Sequence, residues 1–281
     1  MSDTANKSSE QHQNSKVCFV LFSRAIDKNA KNLARQFDGN GDFCVLTYDD
    51  TGEANDEIDD GIRHVVYNRR SLNTVFTGCA PKFAMENWAI MPGNLDLAHL
   101  LFVNQNQDYD YFWFCEDDVR YTGDMSSLIR KFEHHNDALL ATNYRGYGPE
   151  WWPQNSYVSP VEASMSDKSV FLPFFRISKK AAHILIKAYA NGWSGHHEIS
   201  WPSVLRYNKL AITDLNSITK CYTSSPEVMG MGPGTFIYMP PKLFAGFEKN
   251  MLYHPVKPFQ EYKKRKWFRM KKNIKKAIGR N

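Results

Sequence analysis

Three adjacent carboxylates, Glu116, Asp117 and Asp118, end the apolar, largely aromatic run from Tyr111 to Cys115. Like charges at that spacing repel one another, and a bound cation relieves the repulsion. Carboxylate oxygens suit hard divalent ions such as Mg²⁺ or Mn²⁺, which in turn bridge phosphates. If the aromatic run is a strand, alternation places Glu116 and Asp118 on one face and Asp117 on the other. In open α/β sheets, ligands bind outside the carboxyl ends of strands, where this triplet would stand. The competing reading is a solvated acidic turn that leads into a helix.

The elements that must position these acids follow from hydrophobic pattern. Val17 to Phe22 and Phe43 to Tyr48 are short apolar runs of strand length, and His64 to Tyr67 is a third candidate. Between the first two, Ile26, Ala30, Leu33, Ala34 and Phe37 recur at helical spacing, and Asp38-Gly39-Asn40-Gly41 ends the helix. Asn94 can cap a helix with Leu97, Ala98, Leu101 and Phe102 inward, which leads to the aromatic strand. Asp124 caps a helix carrying Leu128, Ile129 and Phe132, and a strand follows at Ala138 to Thr142. Strands alternating with helices over the first half predict a mostly parallel, doubly wound sheet flanked by helices.

The second half is less regular. Residues 144–170, rich in Gly, Pro and Trp, read as a long loop. Ser178 caps a helix with Ala181, Ile184, Leu185, Ala188 and Tyr189 on one face, closed by Asn191-Gly192. Gly192 to Glu198 reads as a loop, with Pro202 in the first turn of the next helix. The expected organisation is a disordered leader over 1–16 and one domain over 17–256. That domain divides into a nucleotide-binding half, 17–142, and an acceptor half, 143–256, and a basic tail over 257–281 follows.

Tyr109-Asp110-Tyr111-Phe112-Trp113-Phe114-Cys115-Glu116-Asp117-Asp118-Val119 resembles the DxD motif, in its EDD form, of GT-A-fold glycosyltransferases. The resemblance spans 17–256 in order of elements, with only short pieces matching as motifs. It implies that Asp118 ligates the metal under a sugar-donor diphosphate, and that Glu116 and Asp117 meet ribose, sugar or metal-bound water. His254, in Met251 to Lys257, resembles the late histidine that serves this superfamily as an extra metal ligand, although it can also be purely structural. Glu198 corresponds to the catalytic carboxylate of inverting members, a base whose pKa partial burial among Trp193, His197 and Trp201 would raise. Alternatively it caps or pairs locally. Ser23 and Arg24 follow the first strand, where the nucleotide pocket begins, and Arg24 can pair with diphosphate. Asp49 or Asp50 ends the second strand, where an acid often meets base or ribose. Gly230-Met231-Gly232-Pro233-Gly234 lacks the spacing and Lys of a P-loop and reads as an acceptor-side loop. Trp151, Trp152, Trp193 and Trp201 form an acceptor platform or seal the core, with sealing favoured for Trp201.

The implied activity is Mn²⁺- or Mg²⁺-dependent transfer of a sugar from a nucleotide-diphosphate donor to a glycan or glycolipid acceptor, as in envelope polysaccharide synthesis. A nucleotidyltransferase on a related sheet is the alternative, yet it would want a Gly-rich basic loop where Ser23-Arg24-Ala25-Ile26 has no glycine. A non-catalytic glycan-binding or scaffolding protein is the other.

Composition bounds these readings. The chain has 281 residues, 42% of them hydrophobic and 14% aromatic, enough to build a substantial core, which excludes disorder as the main state. No apolar run approaches the roughly 18–20 residues of a membrane span, and Met1 to Lys16 lacks the apolar stretch of a signal peptide. Five cysteines without a CxxC pair read as reduced core thiols. The net charge of +5 conceals an asymmetry: residues 257–281 carry +10 and the rest −5. In Lys263 to Asn281, Trp267, Met270, Ile274 and Ile278 fall on one helical face amid Lys and Arg. Such a helix suits the cytoplasmic face of an anionic membrane. Nucleic acid is the rival partner for a basic run, but no recognition fold precedes it and the body is acidic. A solvated helix without a partner is the remaining reading.

Overall fold

Alternating burial along the strands explains the central sheet. In β1 (Val17–Phe22), Cys18 and Val20 join one layer of core, while Phe19 and Leu21 join the other. In β5 (Tyr111–Glu116), Phe112 and Phe114 face the first layer, and Trp113 and Cys115 the second. Both faces are therefore apolar, and each buried Phe stabilises the fold by roughly 1.5–3 kcal/mol. A sheet of this kind needs helices on both sides. The computed structural model describes residues 15–38, 41–79, 95–146, 157–161, 168–224 and 233–277. Residues 1–14 of the leader, Asn94, Trp151, Trp152, Gly230 to Gly232 and Ile278 lie outside the described residues.

Four strands are parallel at the centre: β4 (Ile62–Tyr67), β2 (Asp42–Tyr48), β1 and β5, in that spatial order. β3 (Asn55–Asp59) pairs antiparallel with β4 and covers that edge. Every residue of β3 is exposed, so apolar pattern gives no sign of it. Asp60 and Gly61, at φ 49° and 75°, make the tight turn between the two strands. On the other side, β8 (Ser169–Ser178) runs antiparallel to β5 and to β7 (Leu139–Arg145), and β9 (Ile212–Asp214) extends the sheet parallel to β7. The result is an eight-stranded mixed sheet, mostly parallel, with helices on both faces.

One layer is built by α2 (Arg69–Phe76), α3 (Leu95–Gln105), α5 (Lys179–Ala190) and α6 (His197–Tyr207). The opposite layer is built by α1 (Lys28–Phe37), α4 (Met125–Arg130) and the short α7 (Leu215–Ile218). The caps expected at Asp124 and Ser178 form: their side chains accept from the backbone N–H of Ser127 and Ala181. All five cysteines are buried free thiols.

Three expectations need correction. The loop expected over 144–170 is shorter at both ends, because β7 runs to Arg145 and β8 starts at Ser169. β8 is tolerated despite Pro173 because its ladder to β5 ends at Phe174 and its pairing with β7 is irregular there. Second, α6 begins at His197, so Glu198 sits in a helical first turn and Pro202 lies in the helix interior. Pro202 has no N–H for the Glu198 carbonyl four residues earlier. Third, Trp193 is buried against Tyr157 and Tyr207 rather than open to a sugar, while Trp201 seals the core as favoured and donates through Nε1 to Tyr189. Neither is a sugar platform.

A second, two-stranded sheet has no counterpart in the sequence pattern. β6 (Arg120–Tyr121), just beyond the acidic triplet, pairs antiparallel with β10 (Leu252–Tyr253). The carboxyl-terminal α8 (Phe259–Ala277) follows closely after β10. None of the helices among the described residues is long and apolar enough to cross a membrane.

Candidate active site

The in-register parallel strands bring several loops to one edge. Phe22 lies beside Glu116 on one side and Leu46 on the other, so Ser23, the end of β2 and the acidic triplet share the carboxyl edge of the sheet. The short β6–β10 ladder then carries the chain back across this edge. Val256 N–H donates to the Asp118 carbonyl at 2.8 Å, which fixes the returning strand against the triplet. A residue 136 positions away in sequence from Asp118 thereby becomes its neighbour: His254 Nε2 stands 3.3 Å from Asp118 Oδ1 and 3.7 Å from Glu116 Oε2. One ligand atom from each of Glu116, Asp118 and His254 lies within 4.8 Å of the others.

The second nitrogen of His254 settles the ring's role. Nδ1 is 2.7 Å from the Ile237 carbonyl, which can only accept, so Nδ1 carries a proton and Nε2 faces the acids. Phe171 and Phe236 pack against the ring and hold its plane. Burial alone would lower its pKa, but Asp118 and Glu116 outweigh burial and hold the imidazolium protonated well above the usual histidine range. Burial would likewise raise Asp118, yet His254 and Lys257 hold it well below the usual carboxylate range. Lys257 Nζ lies 2.6 Å from Asp118 Oδ2 and 3.8 Å from Glu261 in the first turn of α8.

These residues fit a divalent cation. Asp118 Oδ1 is buried and makes no aligned hydrogen bond, so one carboxylate oxygen is left over beside an imidazole nitrogen and a second carboxylate. The donor set of two carboxylates and one imidazole matches Mn²⁺ or Mg²⁺, with the imidazole favouring Mn²⁺. Asp117 is exposed and lies outside this donor set; its carbonyl accepts from Arg120.

Glu198, in the first turn of α6, is bonded to Leu172, the residue after the Phe171 whose ring packs on His254. It is buried, with Oε1 accepting from Leu172 N–H in β8 at 3.1 Å and Oε2 lying 3.8 Å from His196 Nδ1. Burial pushes its carboxyl up to about 8; the Leu172 N–H and His254 pull it down, and Glu116 pushes it up further.

The donor-side candidates are more dispersed. Ser23 is buried, its hydroxyl donates to the Ala25 carbonyl, and its own carbonyl accepts from Thr47. Arg24 is exposed beside it. Asp49 is exposed and caps its own turn, accepting from Thr51 N–H and Oγ1 at 2.9 and 2.7 Å, contacts that lower its carboxyl below the ordinary value. All three stand on the same edge as the triplet, and none is paired with it. Sequence pattern did not single out Lys257 as a partner of Asp118, because it opens the basic tail and reads as one of many cations. Its one distinguishing sign is Glu261 four residues on, which makes an i,i+4 pair rather than a uniform run.

No protein-family model matches the chain, and no curated protein sequence does. Among solved structures, the chain is similar to a protein described as a glucose-1-phosphate thymidylyltransferase from Bacillus anthracis, crystallised in complex with a sucrose. The identity is 11%, over 71% of this chain and 85% of that one, with a TM-score of 0.37. It is also similar to A197 from STIV at 10% identity, over 60% of this chain and 67% of that one, with a TM-score of 0.28. At this level of likeness, the chemistry rests on the residues of the site itself.

Proposed function

We propose that the protein is a metal-dependent glycosyltransferase that moves a sugar from a nucleotide-diphosphate donor to a glycan or glycolipid acceptor, with inversion. The observation that carries this reading is the convergence of Glu116, Asp118 and His254 on one point at the carboxyl edge; Glu198 is linked to it through β8, where Leu172 bonds Glu198 and Phe171 packs on His254. Glu116, Asp118 and His254 would hold Mn²⁺ or Mg²⁺, which when bound neutralises charge on a leaving diphosphate. Lys257 and Arg24 supply side-chain cations on the same edge for phosphate oxygens, and Ser23, Asp49 and Asp117 offer polar contacts to nucleotide or sugar. Glu198 takes the proton from the acceptor hydroxyl. The acceptor oxygen forms its bond to the anomeric carbon as the bond from that carbon to diphosphate breaks, and the nucleoside diphosphate departs with the electron pair. A base raised to about 8 by burial is strong enough for this transfer near neutrality.

The surroundings of the site also suit work at a lipid surface. Phe244 and Phe247 are exposed, and the nearby Lys242 is bonded to the returning strand through Pro255 and Lys257. α8 begins directly after that strand and exposes Trp267 and Met270 in the region of the chain that carries +10. An anionic membrane that met both features would bring a lipid-linked acceptor to the protein. Each basic side chain near such a surface contributes roughly 1 kcal/mol.

The test is a thermal-unfolding panel of nucleoside diphosphates with and without Mn²⁺, followed by product analysis with the matching nucleotide sugars. Stabilisation by UDP or GDP only in the presence of metal, then release of nucleoside diphosphate with sugar joined to an acceptor, is the expected result. Release or consumption of pyrophosphate would instead assign nucleotidyl transfer. Nucleotide binding without any turnover would favour a binding protein.

A further inference from the structure

A second polar site lies at the end of β7, away from the acidic triplet. An open cavity of about 410 Å³ is lined there by Asn143, Arg145, Asp214, Lys220, Tyr222 and Ser224, among others. That volume lies within the range of small-molecule sites, about 300–1,000 Å³. We infer that this cleft binds the anionic group of an acidic sugar, a carboxylate or a phosphate, as part of acceptor recognition.

The hydrogen bonding of the cleft dictates the sign of its ligand. The one acid among its described lining residues, Asp214, is consumed by structure. It accepts from the Tyr222 hydroxyl at 2.8 Å on both oxygens, from Tyr144 N–H at 2.8 Å and from Asn216 N–H at 2.8 Å. The Tyr222 and Ser224 hydroxyls and the Asn216 amide donate within the protein, but two nitrogens are not consumed. Asn143 is 4% exposed and held at φ 52°, its backbone N–H donating to the Tyr222 hydroxyl and its side-chain oxygen accepting from Ser224. Its Nδ2 is left buried with no partner. Arg145 Nη2 is also buried and unpartnered, so the demand does not depend on which way the Asn143 amide is turned. Burial holds the Arg145 guanidinium below its ordinary pKa, against the opposing pull of Tyr222 and Asp214. Lys220 is exposed at the rim, and among the described residues neither cation forms an ion pair. Buried donors without acceptors cost free energy until something with oxygen lone pairs arrives. An anion flanked by two cations and an amide meets that need, and a planar guanidinium is suited to carboxylate or phosphate.

The cleft also has a physical link to the chemistry. Tyr222 lines it, the Phe236 ring packs on Tyr222 at 5.9 Å, and the same ring packs on His254 at 5.4 Å. One aromatic side chain therefore separates the anion cleft from the imidazole of the acidic centre. That the anion is carried on an acceptor sugar rests on the transferase reading; that the cleft takes an anion does not.

The experiment uses the full chain without nucleotide or metal, titrated with glucuronate, glucose 6-phosphate, inorganic phosphate and glucose by calorimetry at low salt. The two acidic sugars should bind at least tenfold more tightly than glucose. Arg145→Gln and Lys220→Met should each weaken them several-fold, and together by tenfold or more. Asn143→Asp, which tolerates the same backbone conformation and replaces the amide donor by a carboxylate, should abolish binding. Lys220 is exposed, so Lys220→Met keeps the test decisive if the buried variants unfold. Equal binding of glucose, or undiminished binding by the Lys220→Met protein, would overturn the anion site. Inorganic phosphate binding as tightly as glucose 6-phosphate would overturn the sugar component. Displacement by metal-free UDP would overturn the separation and make the cleft part of a nucleotide site. Metal-dependent UDP or GDP binding, measured separately on the same variants, reports on the transferase reading alone.

Discussion

The acidic centre and the β7 cleft sit at ends of strands in the same sheet, and they are electrostatic opposites. At the centre, Glu116 and Asp118 outnumber the positive charge their own strand supplies, and His254 and Lys257 are brought in from a distant segment to compensate. In the cleft, the one acid among the described lining residues is saturated by local hydrogen bonds, and Arg145, Lys220 and the Asn143 amide are left over. An excess of buried acceptors favours cations, and an excess of buried donors favours anions. The difference teaches that a ligand's charge can be read from which hydrogen-bonding groups the fold leaves unused, rather than from net charge. Net charge alone would have pointed to the tail.

The most severe break in this comparison should come from Glu198→Gln, which keeps the shape and removes the basicity. Transfer should fall by about 10²–10⁴, with nucleotide affinity unchanged. The wild-type rate should carry a matching pH dependence. Glu198 works ionised, and burial raises it to about 8, so the rate should climb as pH rises toward 8 and level above it. A rate profile flat between pH 6 and 8 would remove Glu198 from the base role.

Asp118→Asn should come next. It discards the carboxylate shared by His254 and Lys257, so metal-dependent nucleotide affinity should drop by roughly 10²-fold, a loss on the scale of damaged metal shells. Titration of the variant with Mn²⁺ and UDP or GDP checks this, and unchanged affinity would dissolve the metal assignment. The wild-type protein should itself bind metal better at higher pH. His254 is held protonated by its acidic neighbours, and a proton on Nε2 competes with metal.

A smaller and two-signed effect is expected for Lys257→Met. Removing the cation 2.6 Å from Asp118 should strengthen Mn²⁺ binding on its own, because the carboxylate loses its resident counter-charge. Nucleoside diphosphate affinity should weaken by about tenfold, because a phosphate-facing cation is gone. Parallel titrations of metal alone and of nucleotide with metal separate the two. Loss of both affinities would mean that Lys257 is structural.

The smallest effect on either region should follow truncation after Tyr262, which keeps Lys257 and Glu261 and deletes most of α8. Co-sedimentation with anionic vesicles should be lost, and turnover on a soluble acceptor should stay unchanged. Attachment of the intact chain should decrease with salt, since charge interactions are screened within a Debye length of about 8 Å at physiological ionic strength. Equal pelleting of the two proteins would reject the anchor.

How much of this was legible beforehand depends on sequence distance. β1, β2 and β5 are visible as apolar runs because both of their faces are buried, and α5 is visible through its cap and stripe. The triplet's position at a strand end follows from the same pattern. β3 is invisible because all of its residues are exposed and four of the five are polar, so only its pairing with β4 defines it. β6 and β10 are two residues each, too short for any period to register. Yet that pairing is what delivers His254 and Lys257 to Asp118.

The sequence by itself therefore determined the local quantities: which segments alternate, where helices are capped, that three acids must share one turn, and that the tail is basic. These depend on neighbours within a few residues, where spacing and side-chain chemistry suffice. Tertiary structure alone decided which distant groups complete each site. Burial at Glu198, the orphaned oxygen of Asp118 and the unpartnered nitrogens of Asn143 and Arg145 are properties of packing between segments. Desolvation and hydrogen-bond saturation exist only once those segments meet, so no local pattern records them.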